Sequence, residues 1–225
     1  MKFILKKRNI WFHIIVGYLT GGIWLIIYFI CKNIENSKPV VEYIDITSSI
    51  INKSVSCNDY VIFDFETTGL NPNVEKITEF TFLKFKNNKL IDEMSSLVNP
   101  GKNIPDGVSK ITGITNEMVK EEKDIKFYIN DIMNFIDGYT LIGHNICSFD
   151  IYFLKSAIEK NVKLTKKIEY KCIDTLTMSR ELVNDVKNYK LETLKKYLKI
   201  DTISHRSKQD CEVTAELYQY MIKKQ

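Results

Sequence analysis

Tyr60-Val61-Ile62-Phe63-Asp64-Phe65-Glu66-Thr67-Thr68-Gly69-Leu70 is the stretch on which the reading of the whole chain turns. It begins as an apolar strand and ends in two carboxylates, two threonines and a glycine turn. Alternation along a strand puts Asp64 and Glu66 on one face, roughly 6–7 Å apart, and Val61, Phe63 and Phe65 on the other. Two carboxylates at the end of a buried strand repel each other unless a cation neutralises them. Hard divalent ions such as Mg²⁺ or Mn²⁺ suit oxygen ligands of this kind. A strand that simply surfaces, with solvated acids, fits the same residues, so the rest of the chain has to decide.

Downstream, Lys76–Lys86 and Leu90–Val98 are apolar runs joined by Asn87-Asn88-Lys89, a connection whose asparagines accept positive φ and so predict a hairpin. Asn99-Pro100-Gly101 ends it. The spacing of Ile125, Ile129, Ile132, Met133 and Ile136 predicts a helix over 125–136, stopped by Gly138. Thr140–Gly143 reads as a short buried strand, Phe149–Lys160 as a helix and Tyr170–Asp174 as another strand. Helices over about 175–182, 191–198 and 207–223 close the chain. Three antiparallel strands followed by helix-linked parallel ones give an α/β domain: a mixed five-stranded sheet with helices on both faces.

The chain has 225 residues, enough for one ordinary domain, residues 59–225, and an appendage. Its formal charge of +4 is unevenly placed. Residues 1–58 carry seven basic and three acidic side chains, and from Asp59 onward the two signs balance at 25 each. A protein that wraps duplex nucleic acid shows a basic footprint. Nucleic acid handled by this domain would therefore be gripped at an end or over a few nucleotides. Cys31, Cys57, Cys147, Cys172 and Cys211 form no C-x-x-C pair and no zinc spacing, which reads as reduced intracellular thiols.

Residues 1–32 are a basic head followed by an apolar segment, and 33–58 a mixed linker in which residues 44–55 suit a short helix or strand equally. Ile10–Ile30 has no formal charge apart from a protonatable His13. As one helix it would be about 31 Å long, a bilayer core's thickness. Trp11, Phe12, Tyr28 and Phe29 suit the two interfaces. The segment is therefore expected to anchor the protein in a membrane. The basic head predicts an inside N-terminus and so, for a single span, an outside domain. Thr20-Gly21-Gly22 offers a re-entrant hairpin that would keep the domain cytoplasmic.

Two further stretches bear on chemistry. In Gly143-His144-Asn145-Ile146-Cys147-Ser148-Phe149-Asp150 a strand runs into a helix, with Asp150 in its first turn. Its bland reading is an acid favoured by the helix dipole, with Ser148 as cap. In His205-Arg206-Ser207-Lys208-Gln209-Asp210, Ser207 and Asp210 resemble a capping box with Asp for Glu.

Taken together, D-x-E-T-T-G, H-N…F-D and H-x₄-D occur in order at family-like intervals, and from about Tyr60 to Tyr220 the chain resembles the DEDDh 3′–5′ exonucleases. Ile111-Thr112-Gly113-Ile114-Thr115 and Ile173-Asp174-Thr175 are further phrases of that family. The resemblance implies an RNase H-like fold and two divalent ions, Mg²⁺ or Mn²⁺. It matches Asp64, Glu66, Asp150 and Asp210 to the metal carboxylates and His205 to the general base. Thr67, Gly69 and Leu70 match the turn that contacts the terminal nucleotide, and Asn145 and Phe149 flank the substrate cleft. Two ions about 3.5–4 Å apart activate water and stabilise the leaving oxygen, and a histidine of pKa about 6.5 is suited to take the water's proton. The chain departs from the family where Thr112 replaces a frequent histidine and where His144 and Asp150 stand one residue further apart than usual.

The expected activity is hydrolysis at the 3′ ends of DNA, single-stranded or frayed, in a pathway with a polymerase or repair partner. The alternatives are an exoribonuclease trimming RNA or short oligoribonucleotides, and a non-catalytic, membrane-tethered nucleic-acid-binding module.

Overall fold

The computed structural model describes residues 44–45, 57–162, 168–201 and 206–224. All belong to one unit built of residues 42–162 and 166–225. A two-residue strand, β1 (Ile44–Asp45), lies in the linker stretch and pairs in parallel with β6 (Ile168–Glu169).

The main sheet has five strands, β2 (Tyr60–Thr67), β3 (Ile77–Lys86), β4 (Lys89–Leu97), β5 (Thr140–Gly143) and β7 (Cys172–Asp174), in the order β4-β3-β2-β5-β7. β2, β3 and β4 pair antiparallel, and β5 and β7 add in parallel. This is the expected mixed sheet. The hairpin turns on Asn87 and Asn88, both at positive φ (51° and 60°), which asparagine tolerates better than most residues.

Register sorts β2 into two faces. Tyr60, Ile62, Asp64 and Glu66 stand opposite Phe85, Leu83, Thr81 and Glu79 of β3. Helices α5 (Thr175–Leu182), α6 (Leu191–Leu198) and α7 (Ser207–Ile222) cover that face, burying Met178, Leu194, Cys211, Leu217 and Tyr218 against it. On the other face Phe63 stacks on Phe82 at 5.2 Å, and Phe65, Phe80 and Phe135 complete an aromatic layer. Offset and edge-on ring pairs of this kind add about 0.5–1.5 kcal/mol each beyond the area they bury. Near the start of β2, the Tyr218 hydroxyl accepts from the Cys57 N–H (2.9 Å) and donates to its carbonyl (3.0 Å).

Three local expectations need correction. The helix expected over 125–136 is a 3₁₀ turn, Ile125–Phe127, followed by α3 (Ile129–Ile136). The tighter turn shifts the phase of the apolar stripe, so Phe135 rather than Met133 is buried with Ile129, Ile132 and Ile136. The strand expected from Tyr170 begins only at Cys172. Two short helices, α1 (Asp106–Thr112) and α2 (Asn116–Val119), had no periodic signal. Thr112 is turned inward: its hydroxyl donates to the Val108 carbonyl (3.2 Å) and accepts from the Ile114 N–H (3.1 Å).

Among the described residues no helix is long and apolar enough to cross a membrane. The apolar segment 10–30 and its glycine turn lie outside the described residues, as does His205.

Candidate active site

β2 carries Asp64 and Glu66 out on the face covered by α7, and a register irregularity after Glu66 ends the regular pairing. The turn that follows is held by its own hydroxyls. Thr67 Oγ1 donates to the Gly69 carbonyl at 2.7 Å. Thr68 Oγ1 donates to the Glu75 carboxylate and accepts from the Lys76 N–H (3.0 Å), while Lys102 pairs with Glu75 at 2.8 Å. A Cβ at position 69 would meet Glu75 Cγ at 2.9 Å, so a side chain there would have to push Glu75 aside. Beyond it, Leu70 projects with 83% of its surface exposed.

Asp150 arrives by a loop from β5. Asn145 takes a left-handed conformation (φ 63°), a 3₁₀ turn spans Ile146–Ser148, and α4 (Asp150–Asn161) starts after Phe149. This turn holds the residues between His144 and Asp150, the interval that is longer than usual. Ser148 does not cap α4, against the bland reading of this stretch: Phe149 is the N-cap and no side chain caps the helix. The loop is instead held by Asp174, whose carboxylate accepts from the N–H groups of Asn145 (3.0 Å), Cys147 (3.2 Å) and Leu176 (2.9 Å). Asp150 is 4% exposed, and its Oδ1 accepts from the Phe65 N–H at 3.1 Å. Phe149 is half-buried against Phe153, ring centroids 5.0 Å apart. His144 is tied to the Thr175 hydroxyl (3.1 Å) and the Tyr189 carbonyl (2.9 Å), and burial lowers its pKa. It braces the loop.

Asp210 lies in the first turn of α7. Ser207 and Asp210 do not form a capping box, because the helix begins one residue earlier than that box requires and Arg206 is the N-cap. Ser207 is fully buried, and its hydroxyl bonds to that of Thr81 at 2.8 Å. Glu79 of β3, opposite Glu66, accepts from the Ser207 N–H (3.0 Å) and from Arg206 Nε and Nη2.

These elements bring Asp64, Glu66 and Asp210 together, with one carboxylate oxygen of each within 4.8 Å of the others. Asp150 is not one of the three that meet at that distance; it stands beside β2, bonded to the Phe65 N–H and near enough to act on Asp64. Burial, then repulsion from Asp150, Glu66, Asp210 and Glu79, holds the Asp64 carboxyl well above the usual range. Burial first, then Asp210, Glu79 and Asp150, pushes Glu66 to about 8 against a counteracting Arg206. Burial raises Asp150 to about 7, opposed by its bond from Phe65. Carboxylates that hold protons near neutrality for want of a counter-charge are a fit for a hard divalent cation, and the donor set is all oxygen.

Glu79, Arg206 and Asp174 were not recognised as site residues from sequence. Glu79 has one legible signal, an acid in step with Leu83 and Phe85 on one face of its strand, but its partner lies far along the chain.

Comparison with solved structures gives the class. Exonuclease X bound to 5′-overhanging duplex DNA matches with a TM-score of 0.56 and 26% identity, over 73% of this chain and 91% of that one. E. coli exonuclease I in complex with a dT13 oligonucleotide superposes with a TM-score of 0.66 at 16% identity, over 75% and 42%, a likeness of fold. The fold is that of the DEDD exonucleases. The exonuclease family (RNase_T) matches residues 61–218. The DNA polymerase III PolC-type of Caldanaerobacter subterraneus subsp. tengcongensis is 38% identical over 167 residues, 74% of this chain and 12% of that protein. That of Bacillus subtilis is 36% identical over 165 residues, 73% and 11%. The chain thus spans about an eighth of the length of these relatives. It belongs to the RNase T exonuclease family, whose members are phosphodiester hydrolases.

Proposed function

We propose that the chain is a metal-dependent 3′–5′ exonuclease acting on DNA ends, with two Mg²⁺ or Mn²⁺ ions held by Asp64, Glu66, Asp150 and Asp210. The observation that carries this reading is the convergence of three of these acids to within 4.8 Å, from strand β2 and the start of α7. Bound ions supply charge neutralisation at the phosphate and lower the pKa of the attacking water. His205, next to Arg206 at the entry to α7, is the group proposed to take the water's proton on an imidazole nitrogen. Leu70, exposed at the tip of the turn braced by Thr67 and Gly69, is proposed to meet the terminal nucleotide, with Asn145 and Phe149 lining the cleft. Asp150 is held rigid by the Phe65 N–H and so keeps its place while substrate changes.

DNA is favoured because the relatives are DNA polymerases and Exonuclease X was solved on duplex DNA. The balanced charge of the domain suits gripping an end, single-stranded or frayed, rather than a length of duplex. By the same likeness, a polymerase or repair assembly is the proposed setting. Residues 10–30 are proposed to anchor the protein in a membrane with the domain on the cytoplasmic side.

The test uses the full chain in detergent with 5′-labelled DNA and RNA oligonucleotides and Mn²⁺. A ladder shortened from the 3′ end of DNA, abolished by chelator and by Asp64→Asn, is expected. Faster shortening of RNA would replace DNA by RNA as substrate, and no shortening of either would leave a binding module. Full-length protein remaining in the supernatant of lysed cells after membranes are sedimented would refute the anchor.

A further inference from the structure

The start of α7 poses an electrostatic puzzle. Glu79 places a further carboxylate, 5% exposed, directly across the ladder from Glu66 and close enough to raise both Glu66 and Asp64. Another buried anion beside a crowded acidic group is unfavourable unless it does something specific. Both its oxygens are already engaged, Oε1 by Arg206 and Oε2 by Arg206 and the Ser207 N–H, so it is not arranged to take a cation.

What it does is hold a helix end. α7 has no side-chain N-cap of its own, and its first N–H is satisfied from a neighbouring strand. The guanidinium fork grips the same carboxylate with a two-point geometry that a lysine cannot reproduce. A second layer, the buried Thr81–Ser207 hydroxyl pair, and an outer one, Lys208 with Glu93, fix the same turn to β3 and β4. Asp210 sits three residues beyond Ser207, in that turn. We infer that Glu79 and Arg206 are positioning residues: together they clamp the entry of α7 to β3 so that Asp210 meets Asp64 and Glu66 in a metal-holding arrangement. The inference rests on the reading of those three acids as metal ligands.

The measurement is Mn²⁺ affinity of the substrate-free full chain, by calorimetry, alongside kcat, KM and amide exchange of residues 207–210. Glu79→Gln sets an amide N–H₂ against the Arg206 fork. It is expected to weaken Mn²⁺ about 10–100-fold, as loss of groups behind metal ligands does, and to lower kcat with KM for a short oligonucleotide unchanged. Exchange at 207–210 should quicken in the metal-free protein. Arg206→Lys, which keeps the charge and loses the fork, should fall between wild type and Arg206→Ala in Mn²⁺ affinity. A purely structural role would lower the thermal midpoint and leave the affinity of the folded fraction untouched, which would overturn the inference. So would wild-type affinity and exchange in Glu79→Gln, or, should that variant not fold, in Arg206→Ala. Wild-type protein that binds no Mn²⁺ would instead remove the functional reading, and the inference with it.

Discussion

α4 and α7 each deliver one acid to the site, and each begins without a side-chain cap of its own. They are secured in opposite ways. At α4 the acid itself is fastened, because Asp150 accepts a backbone hydrogen bond from Phe65, and the loop ahead of it hangs on Asp174. At α7 the helix is fastened, through Glu79, Arg206, Thr81 and Glu93 acting on the residues before Asp210. The contrast separates two roles for a carboxylate in one cluster. Asp150 is fastened by a bond to the backbone of β2, and the turn that carries Asp210 is fastened by bonds to β3 and β4.

The severest test of that contrast is removal of the acids. Asp210→Ala should reduce hydrolysis by about three orders of magnitude or more while the protein stays folded, since Glu79, Arg206 and the Thr81–Ser207 pair still anchor the start of α7. Unchanged turnover at saturating Mn²⁺ would take Asp210 out of the site. Asp150 should behave differently. Asp150→Asn retains an acceptor for the Phe65 N–H and should lose activity with little loss of stability. Asp150→Ala should also cost about 1–3 kcal/mol, the penalty of a buried donor left unpaired. Chemical denaturation of both variants gives the comparison, and equal stabilities would mean that the bond to Phe65 contributes nothing.

A pH series on metal-free protein comes next in size. Glu66 sits at about 8 in the folded chain against an ordinary value of 4.5. Between those values the folded state holds a proton that the unfolded state has released, so stability falls as pH rises through the window. Glu66→Gln should remove that part of the slope, gaining about 1–3 kcal/mol at pH 8 and little at pH 4. Parallel melting profiles for variant and wild type in chelator would contradict it. The smallest effect is expected at Lys208, half-exposed and paired with Glu93. Lys208→Ala should shift stability by no more than about 0.5 kcal/mol. A larger shift would mean that the outer layer at α7 carries weight assigned here to Glu79.

The parts of this arrangement visible in sequence are those whose cause is local. Alternation along residues 60–67 put Asp64 and Glu66 together, paired asparagines marked the hairpin, and the bounds of β5, α5 and α6 followed from short periodic runs. Asp150 and Asp210 stand out only through the resemblance of the three motifs to the exonuclease family, since each alone reads equally well as an acid at a helix start. The short helices α1 and α2 left no trace because four to seven residues cannot show a period. Both mistaken caps have a common origin. A serine near a helix start signals a cap only if the helix must satisfy itself locally, whereas at α7 Glu79 takes the Ser207 N–H, and at α4 Asp174 holds the loop ahead of the helix. Which residue opposes Glu66 depends on the β2–β3 register, and that is a property of the assembled sheet.

The grip of Tyr218 on Cys57 bears on mechanics. Cys57 lies beside the end of β2 remote from the acids, about 20 Å away by the rise of six strand residues from Tyr60 to Glu66. Tyr218 and Asp210 lie eight residues apart on α7, about 12 Å of helix. A pull applied at Cys57 therefore loads β2 and α7 lengthwise, in shear, with many hydrogen bonds sharing the force. The acids lie toward the far end of both elements, so a load applied at Cys57 is shared along β2 and α7 before it reaches them.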